Sequence, residues 1–337
     1  MSDFVISMYD KTQYEAGPKA KMDVVNFLKK ADFKSIIFYF NGARKAELMS
    51  IKQVMWDIPR EIKKQKMQNI LFQYPAFNER TNNKIIDEVK KKRGTKIFLL
   101  LHDVESLRLH RDEPEYIAEE IAFFNKSDGV IAHNEEMVKW LKQAGMIKPI
   151  VSLGIFDYDN PQVMVKHDKY ERTICFAGNL GKSEFLKKMD SEIPLYLYGP
   201  NQADKYPENI NYQGSYSPEE LPKYLKQSFG LIWDGDSLTE CNGIFGEYLK
   251  YNNPHKASLY LSSGLPVIVW KQAALASFVE HNGLGITINS LAELDRILAD
   301  VTEENYREMC NNVRIIGQKI RDGHYITQAI QKLLELN

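Results

Sequence analysis

Two stretches carry residue types at spacings that suit a phosphorylated ligand. The first is 252–270, where Pro254-His255-Lys256 leads into small and apolar residues that end at Ser262-Ser263-Gly264. A helix beginning near His255 or Lys256 would point its first backbone N–H groups outward, and a helix start of that kind attracts anions. Lys256 adds a full positive charge. The stretch reads either as a cradle for a nucleotide diphosphate or as an ordinary loop–helix–strand unit with a solvated lysine. The second stretch is Ala177-Gly178-Asn179-Leu180-Gly181-Lys182. Its glycines allow close backbone approach to a ligand around Asn179, and Lys182 can meet phosphate. A plain strand–turn–helix joint fits it equally well. It is not G-x-G-x-x-G, so a dinucleotide fingerprint fails.

Acid–base chemistry has one clear candidate. His102-Asp103-Val104-Glu105-Ser106-Leu107-Arg108 follows an apolar run, and His102 or Asp103 could orient or deprotonate a hydroxyl. The alternative is structural, with Asp103 capping a turn and Arg108 pairing with a carboxylate. His133-Asn134 also ends an apolar run, but Asn134 is well explained as a helix cap. In Gly214-Ser215-Tyr216-Ser217, Tyr216 can stack or donate one hydrogen bond. Ser217 with Glu220 three residues on makes a capping box. Metal chemistry has little support. There is no H-E-x-x-H and no cysteine pair; Asp234-Gly235-Asp236 fits D-x-D and also fits a turn after a strand. No metal or other cofactor is expected.

These candidates need a scaffold that sets them at strand ends, and the pattern supplies one. Apolar, β-branched runs at 4–9, 35–40, 69–74, 96–101, 129–132 and 150–153 alternate with helical segments. Strict alternation means a parallel sheet covered on both faces. Residues 1–153 therefore form one domain. The pattern pauses over 154–171, read as a linker, and restarts with strands at 173–177, 195–199, 210–214, 229–233, 266–270 and 285–288. A second domain spans 154–317. Helices are expected at 20–30, 43–64, 218–227 and 272–280, and a long loop at 234–253. Gly264 should end the helix before it in the left-handed conformation. Open α/β sheets bind ligands beyond the carboxyl ends of their strands.

Bulk properties narrow the function. A chain of 337 residues suits two domains, and a net charge of −1 gives no electrostatic case for nucleic acid. The lysine runs Lys63-Lys64-Gln65-Lys66 and Lys90-Lys91-Lys92-Arg93 read as solvated helix faces in preference to a membrane or polyanion surface. Cys175, Cys241 and Cys310 are far apart, which argues for a reducing compartment and against disulfides. No apolar run approaches the roughly 18–20 residues of a membrane span. The expectation is a cytoplasmic protein with at most peripheral membrane contact.

The string Ser262-Ser263-Gly264-Leu265-Pro266-Val267-Ile268-Val269, preceded by Asn253-Pro254-His255-Lys256, resembles the G-x-P-V-I segment of nucleotide-sugar glycosyltransferases. It looks like the bacterial glucosyltransferases that extend N-acetylglucosamine on serine-rich-repeat adhesins, and like related galactofuranosyltransferases. The resemblance implies an α/β, GT-B fold: two facing Rossmann-like domains with parallel sheets. It implies a UDP-sugar donor, glucose above all, bound by the second domain with no metal. The acceptor would be a glycosylated protein bearing N-acetylglucosamine, with a polysaccharide or lipid-linked sugar as runner-up. Gly17-Pro18-Lys19-Ala20 resembles the family's loop that faces the donor, and 214–220 its loop beside base and ribose. The implied donor-binding set is Gly17, Asn179, Lys182, Tyr216 and Lys256, and the implied catalytic pair is His102 and Asp103. A homo-oligomer (dimer or tetramer) and a last helix, 318–337, crossing back to the first domain are implied as well. One departure matters: the paired glutamates of many retaining members fall here at Tyr251 and Leu259, so their roles do not carry over. A non-catalytic GT-B subunit bound to a catalytic partner is the rival reading. A nicotinamide dehydrogenase is a weaker one.

Overall fold

The computed structural model describes residues 2–10, 16–40, 51–166 and 169–336. These residues divide into two compact units. Unit 1 takes the chain up to Gly154 and again from Gly323; unit 2 runs Ile155–Asp322.

In unit 1 the strands are β1 (Ser2–Asp10), β2 (Lys34–Phe40), β3 (Met67–Tyr74), β4 (Lys96–Leu101), β5 (Gly129–Ala132) and β6 (Ile150–Ser152). Their order is β2-β1-β3-β4-β5-β6, with every pairing parallel. Ile70, Leu71 and Phe72 in β3 and Phe98 to Leu101 in β4 are fully buried. That is why the central strands read as unbroken apolar runs. The helices Glu79–Lys90 and Glu135–Gln143 start where Asn78 and Asn134 accept from the backbone N–H groups of Thr81 and Met137. The helix His324–Glu335 packs on β5, β6 and the helix Ala16–Lys30, burying Ile326, Ala329, Ile330 and Leu333. The returning segment thus begins at Gly323. Residues 318–321, expected within it, belong instead to the unit 2 helix Glu303–Arg321.

Unit 2 holds β7 (Ile174–Ala177), β8 (Leu195–Tyr198), β9 (Ile210–Tyr212), β10 (Phe229–Ile232), β11 (Val267–Trp270) and β12 (Gly285–Ile288). Their order is β12-β11-β10-β7-β8-β9, again parallel throughout. The helix His255–Ser263 is buried along Ala257 to Ser263. It stops at Gly264, whose φ of 96° is left-handed and whose N–H returns to the Leu261 carbonyl.

Four local expectations need correction. Gly17-Pro18-Lys19-Ala20 is not a loop: it lies in the first turns of the helix Ala16–Lys30, and residues 11–15 before it are outside the described set. The helix expected over 218–227 is reduced to one 3-10 turn, Leu221–Tyr224, with Pro222 inside it. The expected loop 234–253 contains the helix Gly243–Tyr248, which Gly243 and Gly246 hid by lowering its apparent propensity. Of the helix expected over 43–64, residues 43–50 lie outside the described set. The rest is helical but passes through a wider π-type turn at Gln53–Asp57, where the Ile58 N–H reaches the Gln53 carbonyl just before Pro59.

Candidate active site

The strand order of unit 2 reverses between β7 and β10, and open parallel sheets bind ligands at such a switch point. Three segments meet there: the turn after β7, the turn after β10, and the start of the helix His255–Ser263. Lys256 joins them. Its ammonium lies 3.0 and 3.2 Å from the carboxylate oxygens of Asp234, which follows β10, and 3.4 Å from the Trp233 carbonyl. It also sits 4.6 Å from the ring centre of Phe176 in β7. The side chain is only 15% exposed. Lys256 is therefore neither of the two things its sequence allowed in simple form: it is no freely solvated lysine, and its charge already has a carboxylate beside it. No side chain caps the helix start, since the cap residue is Pro254. The helix opening and the ammonium share one end of the sheet, as an anion site requires.

The turn after β7 is built on backbone contact. Gly178 N–H donates to the Tyr198 carbonyl and Gly199 N–H to the Gly214 carbonyl. A Cβ on Gly199, at φ 140°, would fall 1.8 Å from the Gly178 oxygen, so only glycine lets these strand ends run together. Asn179 spends its side-chain oxygen on Gly181 N–H and on the Asn201 amide, at 3.1 and 2.9 Å. Lys182 lies 4.7 Å from the ring centre of Phe245. Tyr216 donates to the Gln213 carbonyl at 2.9 Å and stacks on Tyr224, with centroids 3.9 Å apart. Ser217 accepts from Glu220 N–H at 3.3 Å, as a cap would. Structure thus brings Lys256 and the post-β7 turn to one switch point. It gives Tyr216 and Asn179 local partners of their own.

Unit 1 gathers a second cluster at the carboxyl ends of β3, β4 and β5. His102 Nε2 is 2.8 Å from the amide oxygen of the fully buried Gln73, whose amide nitrogen donates to the Lys21 carbonyl. With the Gln73 amide oxygen accepting, His102 donates through Nε2. Asp103 accepts from Arg108 at 3.3 Å, and Arg108 also pairs with Glu105 at 2.5 Å. Lys21 donates to the Pro75 carbonyl at 2.5 Å, and burial pulls its pKa down to about 8, against a smaller opposing pull from Asp103. His133 is buried beside them; burial lowers its pKa to about 4 despite hydrogen bonds to the backbone of Leu101 and His102. Gly17 stands on the exposed first turn of its helix, and a Cβ there would meet nothing within 4 Å.

Sequence reasoning missed three of these participants. Gln73 had a signal, being an amide set directly after the apolar run Ile70-Leu71-Phe72 of a buried strand. Lys21 had none, because it lies inside a helix. Asp234 was read as a metal ligand or a turn residue, and not as the partner of Lys256. In the structure its carboxylate holds Lys256, while Asp236 accepts from the Asn242 amide at 2.6 Å. Among the described residues no three His, Cys, Asp or Glu side chains converge as a metal site would require.

Comparison with known proteins agrees with this architecture. The family description "Glucosyltransferase 3-like, N-terminal domain" matches residues 3–155, and "Glucosyltransferase 3-like, C-terminal domain" matches residues 174–333. The chain is 36% identical to the beta-1,6-galactofuranosyltransferase WbbI of Escherichia coli (strain K12), over 71% of this chain and 72% of that one. It is 26% identical to glucosyltransferase 3 of Streptococcus gordonii, over 97% and 96%. Among solved structures, sucrose-phosphate synthase from Thermosynechococcus elongatus superposes with a TM-score of 0.69 at 12% identity, covering 99% of this chain and 100% of that one. An alpha-glucosyltransferase in complex with UDP superposes at 0.60 and 9% identity, covering 100% and 99%. These likenesses match the two parallel sheets of the GT-B fold. Matched over both units, the chain belongs to the glucosyltransferase 3-like family and is a glycosyltransferase.

Proposed function

We propose that the protein transfers a hexose, glucose in the first reading, from a UDP-sugar to N-acetylglucosamine carried on a glycoprotein. The observation that carries this reading is Lys256: a cation held at an uncapped helix start, at the switch point of the unit 2 sheet. The diphosphate would lie against that helix start and the ammonium. The turn around Asn179 and Lys182 would approach it from the β7 side, and Tyr216 would border the base and ribose. Gly17 belongs to the donor set by resemblance alone. In transfer, the acceptor hydroxyl oxygen bonds to the anomeric carbon while the bond from that carbon to the diphosphate breaks. The hydroxyl proton passes to a base, and the diphosphate leaves with the electron pair. His102 or Asp103 is the proposed base of unit 1. Charge grows on the leaving diphosphate, so contacts from Lys256 and the helix start would strengthen in the transition state. No metal is invoked. A homo-oligomer working in the cytoplasm is part of the same proposal.

A second reading changes the donor to UDP-galactofuranose and the acceptor to a polysaccharide or lipid-linked sugar. The 36% identity to a galactofuranosyltransferase supports it. One experiment separates the two: incubate the protein with a panel of UDP-sugars and a peptide bearing N-acetylglucosamine, then read product mass. A product heavier by one hexose from UDP-glucose alone supports the first reading. Turnover of UDP-galactofuranose only, or of no donor on this acceptor, removes it. Thermal shift tests donor binding apart from chemistry, since UDP at a hundred times its dissociation constant adds ~2.7 kcal/mol of stability. A rigid binding subunit would show the shift without product.

A further inference from the structure

The two lysine runs that read as unrelated solvated faces meet in the fold. The helical stretch 51–64 packs Ile58 and Ile62, both fully buried, against unit 1 and turns its other side outward. On that outer side Trp56 is 72% exposed and Met55 60% exposed, with Ile51 nearby at 51%. The end of the helix Glu79–Lys90 and the turn after it lie alongside. Lys92 donates to the carbonyls of Gln65 and Lys63, at 2.8 and 3.2 Å, which ties the two segments together. Between them runs a groove of about 810 Å³, lined by Met55, Trp56 and Pro59. Five cations, Arg60, Lys63, Lys64, Lys91 and Lys92, line it against one carboxylate, Glu88. Glu61 and Glu88 offset part of this charge by pairing with Lys64 and Lys91, at 2.7 and 2.6 Å.

We propose that this face of unit 1 docks on an anionic lipid surface, with Trp56 and Met55 entering the headgroup layer and the cations around them meeting lipid phosphates. The combination is what interfacial binding needs: an exposed indole beside an apolar thioether, rimmed by positive charge. Lone exposed apolar residues are ordinary on soluble proteins, but a contiguous aromatic-apolar patch inside a basic rim is not. A second copy of the chain fits less well, because a two-fold contact would set this five-to-one excess of cations against itself. The proposal is independent of the donor and acceptor readings above.

Flotation of the full chain with vesicles tests it. Phosphatidylcholine vesicles should leave the protein behind, and vesicles mixed with phosphatidylglycerol should carry it, less so as salt rises. Each cation removed in Arg60→Gln and Lys63→Gln should weaken partitioning about fivefold. Trp56→Ser should lower it further and remove the blue shift of tryptophan fluorescence on vesicle addition. Melting curves and turnover on a soluble acceptor should stay at parent values in all three variants, because these side chains are exposed and outside the candidate site. The proposal is overturned by equal binding to neutral vesicles, by no binding to anionic ones at low salt, or by variants that partition like the parent. Competition by free glycerol phosphate would reduce the site to an anion site. A drop in oligomer size with Trp56→Ser, seen by sedimentation, would show a second copy covering this face.

Discussion

Lys256 Nζ lies 3.0 Å from one oxygen of Asp234 and 3.2 Å from the other, so cation and carboxylate form a two-point pair at the unit 2 switch point. The pair gives Lys256 a fixed position before any ligand arrives. It also means that a diphosphate must share the ammonium with a carboxylate. A charge-assisted hydrogen bond to phosphate contributes about 1.5–3 kcal/mol, and ~1.4 kcal/mol is a factor of ten in affinity. Lys256→Ala should therefore weaken UDP binding roughly tenfold or more, while uridine, which lacks phosphates, binds the variant as it binds the parent. Titration calorimetry reads both. Equal UDP affinity would leave Lys256 as a structural partner of Asp234 only.

His102 is held by Gln73 on one side of unit 1, and Asp103 by Arg108. If either is the base, His102→Ala or Asp103→Ala should lower turnover about 10²- to 10⁴-fold, the usual range for losing a general base. UDP affinity should change little, since both residues lie outside the unit that carries the donor site. A collapse of UDP affinity in a folded variant would show the assignment of roles to the units to be wrong.

Activity should survive a strong chelator, because the proposed stabilisation of the diphosphate rests on a helix start and an ammonium. The carboxylates of Asp234 and Asp236 are engaged with Lys256 and Asn242. Loss of turnover on chelation, with recovery on adding manganese, would make those two aspartates metal ligands after all.

His133 predicts a pH dependence of stability. Burial lowers its folded pKa to about 4, whereas the unfolded imidazole takes its proton near the ordinary value of 6.5. The unfolded chain thus binds the proton first as pH falls. The stabilisation is complete above about pH 6.5 and is lost progressively down to about pH 4, by roughly 3 kcal/mol in all. Urea unfolding of the parent across that window should show this slope, and His133→Gln should show a shallower one. Parallel slopes would mean that His133 does not resist protonation in the fold.

Much of the scaffold was legible in the chain alone. The apolar runs at 69–74, 96–101 and 266–270 announce strands buried on both faces, and Gly264 announces a left-handed helix end. Asn134 announces a cap. These signals are local: periodicity, propensity and turn chemistry act over a few residues and survive whatever the rest of the chain does. Where local signals conflict, as with Pro222 inside 218–227 or two glycines inside the helix Gly243–Tyr248, the sequence misled.

Partnerships were decided only in three dimensions. Asp234 meets Lys256 because β10 and β11 are neighbours in the sheet and the helix between them returns its start to the end of β10. Gln73 meets His102 because β3 and β4 are parallel neighbours, in a register that pairs Tyr74 with Leu101. Lys63 and Lys91 share one groove because their helices pack side by side. Each of these pairs is set by strand order, register or helix packing, which depend on the burial of the whole unit and leave no mark in the residues nearby. The sequence therefore determined which elements form and which residue types stand at their ends. Tertiary packing decided which of those residues meet.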